Sequence, residues 1–305
     1  MKIVVTGGAG FIGSHVTRLL LEEGHEVTVV DNLSRGHKGS LDTRVNFEQI
    51  DINDQHKLEK IMSGHDAVIH MASYIEVGES VKNPVSFVEN NILGTVKLLE
   101  AMKKTGVKRM IFSSSACVYG KPTKIPLSED DPLQSQENPY GLTKVSMEQL
   151  CVLYHKLFGI DVTILRYFNP YGPGEMHDPE THAIPNFIKA VLTRTNIPLY
   201  WKGEQIRDFI YIEDLARAHI LTLPLTGLHY YNVGTESGIK VIDVVKTIFE
   251  IVGYEVPIKD LGERAGDVSS LVASSQKIKQ ELNWQPKVNL EEGLKRTIEY
   301  FKQAS

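Results

Sequence analysis

Cysteine is nearly absent from this chain: Cys117 and Cys151 are the two among 305 residues. That excludes a disulfide framework, and their spacing with histidine matches no metal site. Basic charge is in no excess either. Lys and Arg number 33 against 38 acidic residues, a formal net charge of −5, so nothing draws the chain to nucleic acid or to an anionic membrane. No apolar run approaches the roughly 18–20 residues that span a bilayer. The opening MKIVVTGGAG has no basic segment leading into an apolar stretch and a cleavage site, so no signal peptide is expected and the cytosol is the expected location. Internal repeats and low-complexity segments are missing too. What remains is an ordinary globular composition, 42% hydrophobic and 23% charged, long enough for more than one compact unit.

The first seventy residues have a definite order. KIVV is a short apolar strand and TGGAGFIG follows it. SHVTRLLLEEG has helical spacing at Val16, Leu19 and Leu20 and stops at Gly24, and HEVTVVD is a second strand ending on Asp31. Gly7, Gly10 and Gly13 stand three and three apart. Gly7 is expected to make the tight turn, Gly10 to let the backbone approach a pyrophosphate, and Gly13 to let helix and strand pack closely, with the phosphates at the positive end of the helix. Asp31 lies 18 residues past the last of these glycines. It can accept hydrogen bonds from ribose hydroxyls and would repel a 2′-phosphate, so NAD is expected over NADP. Arg35, in DNLSRG, is the one counter-argument, because an arginine there could hold that phosphate.

Further on, NFEQIDIND supplies a strand end, and DAVIHMAS a buried strand closing on Ala72 and Ser73. His70 is expected to fill space in that strand. Asn90 and Asn91 precede the helical spacing of Ile92, Val96, Leu99 and Met102, as caps or as surface residues, and that helix stops at Gly106. RMIFSSSACVYG is a strand whose end bears Ser113, Ser114 and Ser115. In open parallel α/β sheets chemistry sits at the carboxyl ends of strands. Asn138 and Pro139 then start a helix that runs to Gly159. Tyr140 and Lys144, at i and i+4, share one of its faces. An ammonium beside a phenol is expected to pull the phenol's pKa down toward the working pH, where it can serve as a general base.

The three-and-three glycine spacing resembles the short-chain dehydrogenase/reductase superfamily. The stretches TGGAGFIGSH, VGESVKNP, NNILGT, SSSACVYG, NPYGLTK, LRYFNPYGPGE, IRDFIYIEDLA and ERAGD, in that order, resemble its extended members and, within those, the UDP-glucose 4-epimerases. The resemblance covers nearly the whole length. It implies Ser115, Tyr140 and Lys144 as the catalytic set. It implies a cofactor site for NAD of Gly7, Gly10, Phe11, Ile12, Gly13, Asp31, Asn32, Asp51, Ile52, Ala72, Ser73, Asn90, Tyr140 and Lys144, with Asp51 and Ile52 beside the adenine. It brings Ser115, Tyr140, Asn169, Arg207, Arg264 and Asp267 to a UDP-sugar substrate. The expected fold is α/β: a doubly wound parallel-sheet Rossmann domain over residues 1–165 that binds NAD, then a smaller mixed α/β substrate domain over residues 166–305, with some interchange of chain between the two. The family commonly forms homodimers by pairing two long helices, here about Val85 to Lys104 and Tyr140 to Phe158. No metal, membrane or nucleic acid is expected.

The expected reaction is inversion at carbon four of a UDP-hexose, glucose or galactose with an N-acetylated sugar also open, by transient hydride transfer to tightly held NAD. Sugar-nucleotide 4,6-dehydratases use an acidic pair just after the serine-tipped strand; Ala116 and Cys117 stand there. A dehydrogenase or reductase that exchanges its cofactor, and a non-catalytic NAD sensor, are the other readings. Three departures concern the sugar: Ile75 where many 4-epimerases have a lysine, Leu271 where large residues bound the sugar pocket, and Ser274 in place of an acid. His177, Asp178, Glu180 and His182 form a polar loop that matches no zinc or calcium pattern. Cys117 is a small filler or a reactive thiol; Trp201 and Trp284 are expected to pack.

Overall fold

The computed structural model describes residues 1–176, 182–263 and 268–304. Strand and helix alternate along the first half: β1 (Lys2–Thr6), α1 (Phe11–Glu22), β2 (Glu26–Val30), β3 (Asn46–Glu48), α2 (Gln55–Met62), β4 (Ala67–His70), α3 (Val77–Lys82), α4 (Pro84–Phe87), α5 (Gly94–Thr105), β5 (Arg109–Ser115), α6 (Pro139–Phe158) and β6 (Asp161–Tyr167). The rest is shorter and more mixed: β7 (Asn169–Tyr171), α7 (Ala183–Leu192), β8 (Ile197–Leu199), β9 (Ile206–Tyr211), α8 (Ile212–Thr222), β10 (Leu228–Val233), β11 (Gly238–Lys240), α9 (Val241–Val252), β12 (Ile258–Asp260), β13 (Ser270–Leu271), α10 (Gln276–Leu282) and α11 (Leu290–Ala304).

The chain divides into two compact units. The first is Met1–Gly120, Pro132–Tyr167 and Ala216–Tyr231; the second is Lys121–Asp131, Phe168–Leu215 and Asn232–Ser305. A seven-stranded sheet in the order β10-β6-β5-β4-β1-β2-β3 centres the first. Its strands from β3 to β6 pair in parallel, and the central ones are short apolar runs buried on both faces. One face packs Val4, Val68, Met110, Phe112 and Ile164 against Leu58 and Met62 of α2, Leu98 and Met102 of α5, and Met147 and Cys151 of α6. By strand alternation Ile3, Val5, Val27 and Val29 point to the other face, where α1 packs on β1 and β2. This is the doubly wound, Rossmann-type arrangement that the sequence predicts.

Local chemistry places the boundaries. Asn138 caps α6, its side-chain oxygen accepting from Gly141 N at 2.9 Å, with Pro139 in the first turn. Gly159 ends the helix at φ 66°, and Gly106 ends α5 at φ 79°. The helix expected from about Val85 is instead interrupted: Val88–Leu93 form a π-type turn between α4 and α5. The interruption has a partner. Asn91, fully buried, accepts from Tyr74 N (2.8 Å) and donates to Tyr74 O (3.0 Å) and Thr143 Oγ1 (3.0 Å). It is therefore neither a cap nor a surface residue, and the extra residue per turn aims its amide inward.

In the second unit β9 pairs with β7, β11 and β13. Asp208 of β9 is buried and accepts from Thr235 N, Glu236 N and Ala273 N, at 2.8, 3.1 and 3.1 Å. Ser274, where the resemblance leads one to expect an acid, donates its N–H to Leu127 O at 2.6 Å. Trp284 is buried and donates to Asp214 O at 3.0 Å.

The glycine turn after β1 is set by crowding. Gly7 has φ 74°, and a Cβ there would come within 2.6 Å of Ala72 N; one at Gly13 would come within 2.2 Å of Gly7 O. Both obstacles are backbone and cannot swing away. Gly13→Ala is therefore expected to destabilise the chain by roughly 1–3 kcal/mol; urea unfolding that matches the parent would refute this packing account.

Candidate active site

The cofactor candidates gather at the carboxyl ends of β1 to β4, in the first unit. α1 begins at Gly10 with no side-chain cap, so its first N–H groups are left to an external acceptor. Gly10 has no internal reason to be glycine comparable to those of Gly7 and Gly13: a Cβ there would meet Gly7 O alone, at 3.3 Å. That open cradle before a helix terminus fits a dinucleotide's phosphates. Phe11 is buried edge-on to His15, and Ile12 is half-buried beside it.

Asp31 is buried at the end of β2. Its carboxylate accepts from Ala9 N (3.0 Å) and Leu33 N (2.8 Å); burial raises its pKa, against those two hydrogen bonds. Each oxygen keeps a lone pair for a hydroxyl donor. Asn32 donates to Asp51 at 2.8 Å, and Asp51 also accepts from Asn53 N at 2.8 Å. Ile52 is buried against Gly94 of α5. Ala72 N donates to Thr6 Oγ1 at 3.3 Å, Ser73 Oγ to Tyr74 O at 3.2 Å, and Asn90 to its neighbour Asn91 at 2.9 Å. His70 bridges Thr6 and Thr95 inside the sheet, at 2.8 and 2.9 Å. Burial drops its pKa to about 3, so it is a neutral packing residue.

The catalytic candidates meet at the end of β5. Tyr140 is 8% exposed and Lys144 2%, on the inner face of α6. The Ser115 and Cys117 side chains are neighbours that act on the Tyr140 phenol, and Ser115 Oγ accepts from Cys117 N at 3.3 Å. Lys144 Nζ donates to Ser113 O at 2.8 Å and lies 6.0 Å from the centre of the Tyr140 ring. This corrects the expected electrostatics. The phenol's pKa moves well up, first through burial and then through neighbouring Cys117, while the Ser115 hydroxyl pulls it down. The lysine does not offset this, because with a pKa of about 8 it is neutral before the phenol ionises. Burial lowers Lys144 itself to about 8. Cys117 is pushed up to about 11 by burial and remains a thiol at neutral pH, which disfavours the reactive-thiol reading.

Two buried charges that motif reasoning missed support this group. Glu148, the next turn along the Tyr140–Lys144 face, receives Arg166 Nε at 3.0 Å and Nη2 at 2.8 Å, and Ser114 Oγ donates to it. Arg166 also donates to Tyr119 Oη at 2.9 Å. So all three serines of the strand end are engaged: Ser113 by Lys144, Ser114 by Glu148, Ser115 beside Tyr140. The i+8 position of Glu148 relative to Tyr140 was the available signal.

Of the substrate candidates, Asn169 and Arg207 lie together in the second unit. Asn169 stands opposite Phe209 in the β7–β9 register and donates to Asp208 O at 3.1 Å. Arg207 is buried on β9, opposite Leu271 of β13, and donates to Ile206 O at 2.9 Å. Arg264 and Asp267 lie outside the described residues, as do His177, Asp178 and Glu180. His182 pairs with buried Glu175 at 2.6 Å. Among the described residues no three His, Cys, Asp or Glu side chains converge as metal ligands, and no helix is long and apolar enough to cross a membrane.

A parallel doubly wound sheet with an open glycine cradle, an acid at the end of β2 and a Ser/Tyr/Lys group whose Tyr and Lys are buried defines a dinucleotide-binding protein of the Rossmann class. A family model described as the NAD dependent epimerase/dehydratase family matches residues 3–234. The UDP-glucose 4-epimerase of Lactobacillus helveticus is 40% identical over 306 residues, 94% of this chain and 92% of that one. Among solved structures, the UDP-glucose 4-epimerase of Thermotoga maritima with UDP-glucose superposes with a TM-score of 0.95 at 38% identity, covering 100% of this chain and 99% of that chain. The Thermus thermophilus UDP-glucose 4-epimerase in complex with NAD has a TM-score of 0.94 at 33% identity, with 100% of both chains covered. This chain belongs to the NAD dependent epimerase/dehydratase family.

The buried lysine has a measurable signature. Its folded pKa of about 8 lies below the unfolded 10.5. Between those values the unfolded chain binds the extra proton, so stability of the cofactor-free parent rises with pH across that window. Below it the buried charge costs roughly 3 kcal/mol. Relative to the parent, Lys144→Met should be favoured most near pH 7, and the difference in urea-unfolding free energy should shift toward the parent as pH rises to 10. A difference independent of pH would refute a desolvated charge at this position.

Proposed function

We propose that this chain is an NAD-dependent 4-epimerase of UDP-hexoses, glucose and galactose in the first place. The observation that supports it most is the buried Tyr140 phenol set against Ser115 with Lys144 one turn on, in a chain whose relatives are UDP-glucose 4-epimerases. Gly7, Gly10, Phe11, Ile12, Gly13, Asp31, Asn32, Asp51, Ile52, Ala72, Ser73 and Asn90 would hold the dinucleotide, with Tyr140 and Lys144. When bound, NAD supplies a hydride acceptor that gives the hydride back, and a cationic ring whose charge favours a nearby phenolate.

The residues of the chain move the proton. Tyr140, as phenolate, takes the proton of the sugar's 4-hydroxyl and later returns it. Ser115 donates to that oxygen as it gains carbonyl character, and it is the neighbour in this chain that makes the phenol more acidic. Lys144 is proposed to hold the cofactor's ribose and, through Ser113 O, the strand end. Arg207 and Arg264 would keep the diphosphate bound while the 4-keto sugar turns over, and Asn169 and Asp267 would hold other parts of the nucleotide-sugar. An arginine never loses its charge and offers paired donors to phosphate oxygens. Inversion follows because the hydride is returned to the opposite face.

A dehydratase must eliminate water, which needs an acid and a base after β5. Ala116 is buried and aliphatic, and the Cys117 thiol is held at about 11, so neither does that work. The deciding assay follows carbon-four inversion on UDP-glucose, UDP-N-acetylglucosamine and UDP-glucuronate side by side, with Leu271 leaving the N-acetylated sugar open as a second substrate. Tyr140→Phe should lower kcat by about 10²-fold or more while UDP-sugar binding persists. Activity near the parent's would remove the base, and release of NADH into solution would make the protein a dehydrogenase instead.

A homodimer is proposed on the exposed apolar side chains of α6 and of the short helices α3 and α4. Leu142, Leu153 and Leu157 of α6 are 54%, 46% and 62% exposed, and Val81 of α3 and Val85 of α4 are 63% and 66% exposed. A second copy would cover these rows. Sedimentation at twice the chain mass is the expected result, and a monomer at micromolar concentration would refute it. A cytosolic location is proposed as well, supported by two free cysteines, which suit a reducing compartment; cell fractionation tests it.

A further inference from the structure

The ion pair between Arg35 and Glu76 has no part in the chemistry above, yet it occupies a distinctive place. Arg35 lies in the loop after β2, and Glu76 in the loop after β4. In the sheet β1 runs between those two strands. Neighbouring strands are about 4.8 Å apart, so the two loops start roughly 10 Å from each other across the end of β1. That end is the Gly7–Gly13 turn. The Arg35 Nε to Glu76 Oε1 contact, at 3.3 Å, therefore spans the cradle from one side to the other.

Both posts are fixed. Glu76 is 4% exposed, and its Oε2 accepts from Ile75 N at 3.1 Å. Tyr74, which Asn91 holds through both its N–H and its carbonyl, presents its ring to the Arg35 guanidinium at 5.2 Å. On the opposite side Asp31 accepts from Leu33 N and Asn32 from Ser34 N, at 2.8 and 2.9 Å, and His37 N donates to Ala9 O at 3.0 Å. The bridge between two anchored loops is made of side chains, which can part without moving the backbone. A pair with one partner buried and the other stacked on an aromatic ring is also stronger than an open surface pair.

We propose that Arg35 and Glu76 form a clasp over the glycine cradle that slows departure of the bound dinucleotide. The inference rests on the NAD reading above and gives it a retention device, which a reaction that regenerates its own cofactor requires. It also assigns Arg35 a role other than holding a 2′-phosphate, because its guanidinium is engaged by Glu76.

The test measures NAD dissociation from the loaded protein, by exchange against isotopically labelled NAD, for the parent, Arg35→Ala, Glu76→Gln and the double variant. Each single change should speed release about tenfold or more, with no further gain in the double. Epimerisation at saturating NAD should stay within about twofold in Arg35→Ala; Glu76→Gln is judged on NAD release alone, because the Glu76 carboxylate also acts on the Tyr140 phenol. Unchanged release in both single variants overturns the clasp. So does faster release in Arg35→Ala alone, which would mean that Arg35 acts on the phosphates without Glu76. The exchanged pair Arg35→Glu with Glu76→Arg restores slow release if the contact matters and not if folding is at fault. Failure of the parent to bind NAD at all would instead sink the cofactor reading, a distinct outcome.

Discussion

A charged amine and a phenol are buried side by side at the end of β5, and the surrounding architecture exists in large part to tolerate that. Burial alone drives both groups toward their neutral forms, raising Tyr140 and lowering Lys144 to about 8. The chain opposes this with fixed polar partners. Lys144 donates to the Ser113 carbonyl, and the Glu148 carboxylate one turn further along favours the ammonium. Glu148 in turn would be an uncompensated buried charge without Arg166. A buried ion pair of this kind gives little net stability, since desolvation of two charges consumes most of the attraction. Here it fixes where the strand end and the helix face meet.

The same logic explains why the site is built on rigid elements. Tyr140, Lys144 and Glu148 share one face of a twenty-residue helix capped at both ends, and the three serines belong to a strand paired along its whole length with β6. Positions set by helix rise and sheet register do not drift with loop motion. In the second unit Asp208 does the corresponding work, gathering three backbone N–H groups from two segments next to Arg207.

Much of this was legible in the sequence because it is local. A glycine triplet between strand and helix, an acid at the next strand's end, a proline after an asparagine and a glycine at a helix stop each specify backbone conformation within a few residues, and the structure has them where they were expected. What escaped was set by contacts distant in sequence. Glu148 and Arg166 belong to no motif, and only the fold brings them together, buried against each other. Asn91 looked like a cap or a surface residue because nothing in the sequence announces a π-type turn whose amide reaches Tyr74 and Thr143. The electrostatics of Tyr140 was misjudged for a related reason: spacing puts Lys144 on the same face but cannot say that burial raises the phenol and lowers the amine to about 8.

The first unit recruits its last strand from far down the chain. β10, at residues 228–233, joins the edge of the sheet beside β6, which ends at Tyr167. During synthesis β6 therefore emerges with an unpaired edge, and some sixty further residues must leave the ribosome before its neighbour exists. The nascent chain holds an exposed ladder of backbone donors and acceptors for that interval. Cutting the gene at the apparent end of the nucleotide-binding half would make that vulnerable intermediate permanent.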